Sequence, residues 1–315
     1  MPAPRVSVLI PTLHAEPYLA ELIPALESQE VEGGHEVRVL DSDSRDCTRQ
    51  ILRSRGIAVT WMPREEFAHG SARNALASEA RGELFVFLSQ DALPRGTDFL
   101  ARLVEPFADE RVGATRARIL PRPADDPLTA RTVLADPEAS DEPSVLDGVP
   151  GASGGPGEPG RPAGELLPEV RFSNVASCLR RAAHAALPFP AVPFAEDLAW
   201  AVQALAAGWR IAFVPRAVVY HAHAYTPAQA FERYRVDAAA LRRFFGHRVR
   251  PTLFSVARGI AHEVREDVRF VRARGGARHL LRSPGLRSAQ ILGQYFGSRG
   301  WRLSSAGGEA TRSFV

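Results

Sequence analysis

The chain has little cysteine and no long apolar run. Its 315 residues include only two cysteines, so a disulfide-stapled fold is excluded, and its Cys and His residues do not cluster with the spacing of a zinc site. No segment approaches the roughly 20 apolar residues of a membrane-spanning helix. The apolar run at residues 6–13 is interrupted by proline and hydroxyl residues, unlike the apolar region of a signal peptide. We therefore expect a cytoplasmic protein.

Lysine is absent, and all 39 basic residues are arginine. Residues 1–232 carry 22 arginines and 31 acidic residues, a net charge of −9, whereas residues 233–315 carry 17 arginines and 5 acidic residues, a net charge of +12. An acidic body is therefore followed by a basic tail. The field of this tail favours an anionic partner, but charge alone does not distinguish lipid, nucleic acid and phosphorylated substrate.

The body alternates between strand-like and helix-like patterns. Short apolar runs are typical of strands at residues 6–10, 36–40, 57–61, 84–88 and 112–119. Helical patterns lie between them, at residues 17–28, 44–55, 71–80 and 97–107. Repeated strand–helix–strand order predicts parallel strands joined by right-handed crossovers, and hence an α/β sandwich. Ligands of such sheets bind at the carboxyl ends of the strands.

Residues 121–168 break this alternation. The segment is rich in proline, glycine and acidic residues, and it has too little apolar surface to offset the chain entropy lost on folding. We interpret it as a mobile loop within a first domain that spans residues 1–226. The alternation resumes at residue 172 and continues to residue 220.

The rest of the chain, residues 227–315, is predicted to be an arginine-rich helical extension, with helices near residues 228–245, 253–274 and 287–296. In the second helix apolar residues recur every three to four positions with arginines between them, as in an amphipathic helix. Such a helix fits docking on the body, docking on a second copy of the chain, or attachment to an anionic membrane. We predict no nucleic-acid partner, because aromatic residues are sparse there and no nucleic-acid-binding motif is present.

Polar residues follow three of the predicted strands. Pro11 and Thr12 end the first strand, Asp41 ends the second, and Asp91 follows the fourth in the segment SQDALP. Asp41 fits either a ligand contact or a turn. Asp91 fits either a helix cap or a ligand of Mg²⁺ or Mn²⁺ that bridges diphosphate oxygens. The fingerprint GxGxxG is absent after the first strand, which disfavours a dinucleotide-dependent redox enzyme.

Five segments, taken in order, resemble inverting glycosyltransferases of family 2. They are VSVLIPTLH, DSDSRDCT, HGSARNALASEARGE running into LFVFLSQD, FAEDLAW, and GWRIAFVPRAVVYHAH, and together they span residues 6–225. The resemblance implies a GT-A fold, in which a mostly parallel sheet is sandwiched by helices. Within the family, PREEFAHGSARN, SQDALP, FSNVASCLRR, PFAEDLAWA and YHAHAY are most similar to bacterial rhamnosyltransferase-like enzymes.

The resemblance implies a donor site and a metal site. The residues that match the nucleotide-sugar site are Pro11, Thr12, Glu16, Asp41, Arg73, Gln90 and Asp91. Asp91 matches the last acid of the DxD metal motif, whose first acid is replaced here by Ser89. His221 matches a further metal ligand, and His223, two residues on, is the alternative. The expected cofactor is a divalent ion, Mg²⁺ or Mn²⁺.

Asp197 matches the catalytic base of the family, and Glu196 precedes it. An inverting transfer needs a carboxylate close to the acceptor hydroxyl, on the face opposite the departing diphosphate. Adjacent acids at the start of a helix are also typical of simple capping, because they complement the helix dipole. We assign Asp197 and Glu196 to the catalytic site as a hypothesis.

The motifs together predict an enzyme of polysaccharide biosynthesis. It would transfer a sugar from a nucleotide diphospho-sugar, dTDP-rhamnose or similar, to a hydroxyl of a glycan or lipid-linked acceptor. The alternative, suggested by Ser89, is a catalytically silent nucleotide-sugar-binding scaffold of the same fold. Further expected partners are an anionic membrane, at its inner face, and a second copy of the chain bound through the C-terminal helices. The hypothesis requires Asp41, Asp91, Asp197 and His221 to meet at one cleft.

Overall fold

The structure is a computed structural model that describes residues 3–148, 170–192 and 195–300. Within these ranges nine strands pair into one sheet, namely β1 (Val6–Thr12), β2 (His35–Asp41), β3 (Ala58–Trp61), β4 (Leu84–Leu88), β5 (Leu93–Pro94), β6 (Val112–Leu120), β7 (Ser144–Asp147), β8 (Ala176–Arg180) and β9 (Arg210–Tyr220). Their order is β3-β2-β1-β4-β8-β6-β9-β5, and β7 also pairs with β9. The sheet is mixed, because β1 to β4 run parallel whereas β8 runs antiparallel between β4 and β6.

Helices cover both faces of the sheet. In the described ranges the α-helices are α1 (Glu16–Glu27), α2 (Thr48–Ser54), α3 (His69–Glu79), α4 (Phe99–Val104), α5 (Pro127–Leu134), α6 (Arg181–Ala186), α7 (Glu196–Ala206), α8 (Pro227–Phe245), α9 (Leu253–Arg274) and α10 (Ser283–Gly297). Val6, Val8 and Ile10 of β1 pack with α1 and α4, whereas Leu9 packs with α3 and α7 on the other face. Strands covered on both faces are mostly apolar, and all seven residues of β1 are buried, including Ser7 and Thr12. The predicted α/β sandwich is confirmed.

The sheet brings the ends of several strands to one edge. β1 and β2 are parallel and in register, so Thr12 lies opposite Asp41. Because β4 is parallel to β1, the chain after β4 leaves the sheet at the same edge. β8 is antiparallel to β4 and begins at Ala176, opposite the last residue of β4, which brings the chain before β8 to that edge. β9 also ends there, since Tyr220 pairs with Leu93, shortly after β4.

Part of the predicted mobile loop at residues 121–168 is folded. α5 begins after Asp126, whose carboxylate accepts hydrogen bonds from the backbone N–H groups of Leu128 (3.0 Å) and Thr129 (3.2 Å), with Pro127 in the first turn. β7 pairs antiparallel with β9. The loop prediction is wrong for these two elements, because a helix cap and a long-range strand pairing supply order that the composition does not indicate. Residues 149–168 of the predicted loop lie outside the described residues.

The predicted helical extension contains α8, α9 and α10, and its residues 301–315 lie outside the described residues. α8 and α10 pack so closely that a Cβ at Gly297 would lie 2.1 Å from the backbone oxygen of Arg235, and one at Gly293 would lie 2.4 Å from that of Phe231. Glycine is therefore required at both positions. No described helix combines the length and apolarity needed to cross a membrane. The division of the chain after residue 226 stays a prediction.

A buried ion cluster holds these helices on the body. Asp267 of α9 is fully buried, and its carboxylate accepts hydrogen bonds from Nε (2.8 Å) and Nη2 (2.7 Å) of Arg287 in α10. It also accepts hydrogen bonds from Arg131 Nε of α5 and from Ser283 Oγ (2.5 Å). Burial alone would raise the pKa of Asp267, but hydrogen bonds from Arg287 and Ser283 lower it below its usual value. The ionised carboxylate therefore joins α5, α9 and α10.

We expect Asp267→Asn to lower the free energy of unfolding by about 3 to 5 kcal/mol, because it leaves Arg287 buried without its counter-ion. Urea denaturation at pH 7, followed by far-UV circular dichroism, measures the change. Glu266→Gln on the same helix is the control, since Glu266 pairs with Arg269 at the surface (2.6 Å) and its loss should cost less than about 1 kcal/mol. Equal urea midpoints for Asp267→Asn and the unchanged chain would contradict this role.

Candidate active site

A cavity of about 590 Å³ opens at the edge where the strands end. Asp91 after β4, Asp197 in the first turn of α7 and His221 after β9 all line it. The structure thus brings together three of the four residues that the sequence hypothesis requires to meet. A cavity of this volume can hold a small organic ligand or cofactor.

The fourth residue, Asp41, is fully buried and is not among the described residues that line this cavity. Its carboxylate accepts hydrogen bonds from Thr12 Oγ1 (3.2 Å) and Ser44 Oγ (2.5 Å). Glu16, which was also predicted to contact the donor, accepts a hydrogen bond from the backbone N–H of Cys47 (2.9 Å). In this structure Thr12, Glu16 and Asp41 shape the chain that joins β2 to α2.

Four other residues of the predicted donor site line the cavity, namely Pro11, Arg73, Gln90 and Asp91. The side-chain amide of Gln90 donates to the carbonyl oxygen of Leu13 (3.0 Å) and accepts from its N–H (2.8 Å). This pair of bonds ties the chain after β4 to the chain after β1. Gln90 therefore fixes the direction in which Asp91 leaves the sheet.

Asp91 faces two histidines. Its Oδ1 lies 3.4 Å from His221 Nε2, and its Oδ2 lies 3.6 Å from His223 Nε2. Ligand atoms of the three residues lie within 4.8 Å of one another. One carboxylate and two imidazoles suit a first-row divalent ion such as Mn²⁺, whereas Mg²⁺ prefers oxygen ligands. The triad of Asp91, His221 and His223 therefore fits a divalent ion even though Ser89 replaces the first acid of the motif.

The protonation states of this triad also suit a metal. Burial would raise the pKa of Asp91, but a hydrogen bond from His221 and the charges of both histidines outweigh burial and lower the pKa to about 2. Burial, and to a smaller extent His221, lowers the pKa of His223 to about 4. At pH 7 Asp91 is ionised and His223 is neutral. Metal binding needs these forms, because each ligand must offer a lone pair.

Backbone N–H groups of the turn before β8 and of α7 itself hold the carboxylate of Asp197. Its Oδ2 accepts a hydrogen bond from the N–H of Asn174 (3.1 Å), and its Oδ1 accepts one from the N–H of Leu198 (2.8 Å). Burial and the neighbouring charge of Glu196 raise the pKa of Asp197 to about 6, against the opposing effect of Arg73. A carboxylate in a cavity with a pKa near neutrality is suited to accept a proton.

Glu196 forms a buried ion pair with Arg73 of α3. The distance from its Oε1 to Arg73 Nη1 is 2.5 Å, and the two side chains are 5% and 7% exposed. The pair joins the start of α7 to α3. Arg73 also lines the cavity, and its buried Nε has no hydrogen-bond partner in the part of the chain that the structure describes. A guanidinium with an unused donor suits an anionic ligand such as a diphosphate.

Part of the cavity wall was not predicted. α8 contributes Gln229, Arg233, Asp237 and Leu241, so the first helix of the predicted extension forms one wall of the site. Their spacing of four residues places them on one face of the helix. That spacing is a signal in the sequence, but the division of the chain after residue 226 separated it from the site.

His69, at the start of α3, is a further wall residue that was not predicted. Burial, followed by the charge of Arg73, lowers the pKa of His69 to about 3, so the ring is neutral at pH 7. The ring meets Phe67 edge to face, with 5.2 Å between the centroids. His69 therefore offers the cavity a neutral imidazole outside the Asp91, His221 and His223 triad.

Two curated relatives resemble the chain over most of its length. The O-antigen chain rhamnosyltransferase RfbN of Salmonella typhimurium is 28% identical over 234 residues, which cover 73% of this chain and 70% of that protein. The O-antigen chain rhamnosyltransferase WbaN of Salmonella anatum is 31% identical over 199 residues, which cover 62% of this chain and 59% of that protein. The chain thus spans less than two thirds of the length of WbaN.

A family match and a solved structure complete the comparison. Residues 7–154 match the family described as Glycosyl transferase family 2. The mannosyltransferase PcManGT from Pyrobaculum calidifontis, in complex with GDP-Man and Mn²⁺, has a TM-score of 0.58 and 21% identity, over 96% of this chain and 89% of that chain. At this identity the likeness shows the fold alone. The chain therefore carries a glycosyltransferase family 2 domain of GT-A-like fold, as its sequence motifs predicted.

Proposed function

We propose that the chain transfers a sugar, with inversion, from a nucleotide diphospho-sugar to a hydroxyl group of a glycan or lipid-linked acceptor. The observation that carries this proposal is the shared cavity, in which Asp197 lies on one wall and the triad of Asp91, His221 and His223 on another. An inverting displacement needs a base for the acceptor hydroxyl and a separate site for the leaving diphosphate. The cavity offers both.

Asp197 acts as the base in this proposal. The hydrogen bonds from the N–H groups of Asn174 and Leu198 fix its carboxylate, which then takes the proton of the acceptor hydroxyl as that oxygen attacks the anomeric carbon. The nucleoside diphosphate leaves as the bond from the anomeric carbon to the phosphate oxygen breaks. The buried guanidinium of Arg73 attracts the diphosphate from the α3 side.

The triad of Asp91, His221 and His223 would hold the divalent ion. When bound, the ion supplies positive charge that stabilises the leaving diphosphate. The alternative of a catalytically silent scaffold was suggested by Ser89 in place of the first metal acid. Two histidines beside Asp91 offer the ligands that Ser89 does not, which supports the active enzyme.

The two Salmonella relatives support the choice of sugar. Both are named O-antigen chain rhamnosyltransferases, and the motif-level resemblance points to the same kind of enzyme. We take dTDP-rhamnose, or a similar nucleotide sugar, as the donor and polysaccharide biosynthesis as the setting.

Asp197→Asn should lower turnover by about 10²- to 10⁴-fold, because the amide cannot accept the proton. Release of dTDP from dTDP-rhamnose in the presence of Mn²⁺ measures turnover. In the unchanged chain the rate should fall as the pH drops below about 6, where the Asp197 carboxylate becomes protonated. Donor binding should survive the substitution, and a variant that keeps normal turnover would remove Asp197 from the mechanism.

Stability supplies the control for this variant. The folded chain binds a proton at Asp197 between its usual pKa of 3.8 and its raised pKa of about 6, so ionisation of this group costs folding free energy as the pH rises through that window. Asp197→Asn should therefore unfold at a temperature no lower than the unchanged chain at pH 8. Glu110→Gln changes an exposed carboxylate outside the cavity and should alter neither turnover nor stability.

Replacing any member of the metal triad should weaken Mn²⁺ binding by at least about tenfold, because each substitution removes one of three ligands. Isothermal titration of Mn²⁺ into Asp91→Asn, His221→Ala and His223→Ala measures this effect. His69→Ala is the matched control, because it removes a neutral imidazole from the same cavity but not from the triad. Mg²⁺ should bind more weakly than Mn²⁺. Unaltered Mn²⁺ affinity in all three variants would place the metal elsewhere.

We also propose that α9 attaches the enzyme to an anionic membrane surface. One face of α9 packs on the protein through Val256, Gly259, Asp267 and Val271. The opposite face is exposed and carries, at helical spacing, Phe254, Arg258, Arg265, Arg269 and Arg272. This stripe is about 27 Å long. Phe254 and its neighbour Leu253 are 76% and 69% exposed, which adds an apolar tip to the basic stripe. Basic and apolar groups on one helix face suit anionic lipid.

The triple variant Arg258→Gln, Arg265→Gln, Arg272→Gln should bind anionic vesicles about 100-fold more weakly, at about 1 kcal/mol for each arginine. Co-sedimentation with phosphatidylglycerol vesicles over a salt series measures the loss, and phosphatidylcholine vesicles show the uncharged baseline. The matched control replaces three exposed arginines outside α9, namely Arg53, Arg55 and Arg95. Equal losses in both variants would indicate general charge attraction rather than docking through α9.

A further inference from the structure

Besides Arg73 Nε, two buried polar atoms on the wall of the cavity have no hydrogen-bond partner among the described residues, namely Asn174 Nδ2 and Asp237 Oδ1. Asn174 is 1% exposed, and its Oδ1 is used by Ser177 Oγ (2.8 Å), which leaves the amide nitrogen as an unused donor. Asp237 uses its Oδ2 to accept from Arg233 Nε (3.2 Å), which leaves Oδ1 as an unused acceptor. Unsatisfied buried groups cost free energy and usually have a partner. A ligand that has both a hydrogen-bond acceptor and a hydrogen-bond donor would therefore satisfy both atoms.

The two atoms lie close to the proposed base in the structure of the site. Asn174 lies two residues before the start of β8, and its backbone N–H donates a hydrogen bond to the Asp197 carboxylate. Asp237 of α8 lines the same cavity as Asp197 and lies close enough for the Asp197 charge to raise its pKa. A group bound between Asn174 and Asp237 would therefore lie within reach of the Asp197 carboxylate.

A second cavity, of about 490 Å³, adjoins the first. It shares Asp237, Arg233, His221 and His223 with the first cavity, but Asp91, Arg73 and Asp197 are not among the described residues that line it. Asp136 and Glu138, from the chain between α5 and β7, and Gln294 of α10 form part of its walls. The site thus continues beyond Asp237 into a space that His221 and His223 of the triad also border, but that the carboxylate of Asp91 and the guanidinium of Arg73 do not line.

The chemistry of this continuation suits a neutral polyol. Its walls carry the carboxyl groups of Asp136, Glu138 and Asp237 and the guanidinium groups of Arg171 and Arg233, so they offer hydrogen-bond acceptors and donors side by side. Sugar hydroxyl groups both donate and accept hydrogen bonds, so they can satisfy a carboxylate and an amide together. Tyr225 and Tyr234 add aromatic surface to the same walls. These groups match the hydroxyl and ring surfaces of a carbohydrate.

We propose that Asn174 and Asp237 bind a sugar unit of the acceptor and that the second cavity takes the unit next to it. Asn174 Nδ2 donates to one hydroxyl oxygen of that sugar, and Asp237 Oδ1 accepts from another hydroxyl. The reacting hydroxyl then faces Asp197. The acceptor is therefore an oligosaccharide of two or more units rather than a single sugar. This inference rests on the proposed sugar transfer and adds to it the place and the class of the acceptor.

Saturation-transfer NMR tests the subsite without requiring turnover. The probes are methyl glycosides of rhamnose, galactose and mannose, and disaccharides of the same sugars, each added to the full chain with dTDP and with Mg²⁺, which is diamagnetic and does not broaden the sugar signals as Mn²⁺ would. We expect signals from at least one sugar, stronger binding of its disaccharide, and a loss of affinity of about 10- to 100-fold in Asp237→Ala and Asn174→Ala. Affinity for dTDP should not change. Asp237→Asn keeps the side-chain shape and should show an intermediate loss, and Glu110→Gln serves as the control carboxylate outside both cavities.

The outcomes separate this inference from the proposed function. Absence of sugar signals in the unchanged chain, or equal affinities in the unchanged chain and Asp237→Ala, would overturn the subsite. Equal affinities for mono- and disaccharide would overturn its extension into the second cavity. A chain that binds no nucleotide sugar and releases no nucleoside diphosphate would instead overturn the proposed transfer, whatever the sugars do.

Discussion

The buried carboxylate of Asp267 is the interaction on which the complete site depends. It binds Arg287 of α10 and Arg131 of α5, and so connects the C-terminal helices to a segment that precedes β7. α10 in turn packs closely on α8 at Gly293 and Gly297. Asp267 therefore positions α8 indirectly, through α10. The cavity wall that carries Asp237 is part of α8 and is positioned in the same way. The strand ends alone would give an open edge, whereas the ion cluster closes it into a cavity.

The features that follow from local patterns were predictable. β4 was predicted with its observed bounds, and the rule that ligands meet the carboxyl ends of strands led to Asp91. The α8 wall was not predicted, because it depends on contacts between residues far apart in the chain. The helix after Asp126 had a readable signal, since an Asp cap followed by Pro commonly begins a helix, but the composition of the surrounding segment masked it. The position of Asp41 depends on how residues 42–48 fold back, which no spacing reveals.

Two carboxylates of one cavity have pKa values that their surroundings shift in opposite directions. For Asp91 the histidine pair outweighs burial and lowers the pKa to about 2, whereas for Asp197 burial and Glu196 outweigh Arg73 and raise the pKa to about 6. Environments that separate the pKa values of paired acids also separate their roles. A permanently ionised group suits cation binding, and a group that titrates near neutrality suits proton transfer. The sequence supplied the two acids, but only packing distinguishes them.

The arginines of the basic tail lie in two different environments in the fold. Arg287 is buried and paired with Asp267, whereas Arg258, Arg265 and Arg272 are exposed on α9. The stripe lies on the face of α9 opposite the one that packs on the protein, so at least the width of one helix, about 10 Å, separates it from the cavity wall. An acceptor anchored in a membrane bound by α9 must extend over that distance to reach Asp197. An acceptor of several sugar units spans it more readily than a single sugar, so membrane attachment and an extended acceptor subsite favour the same class of substrate.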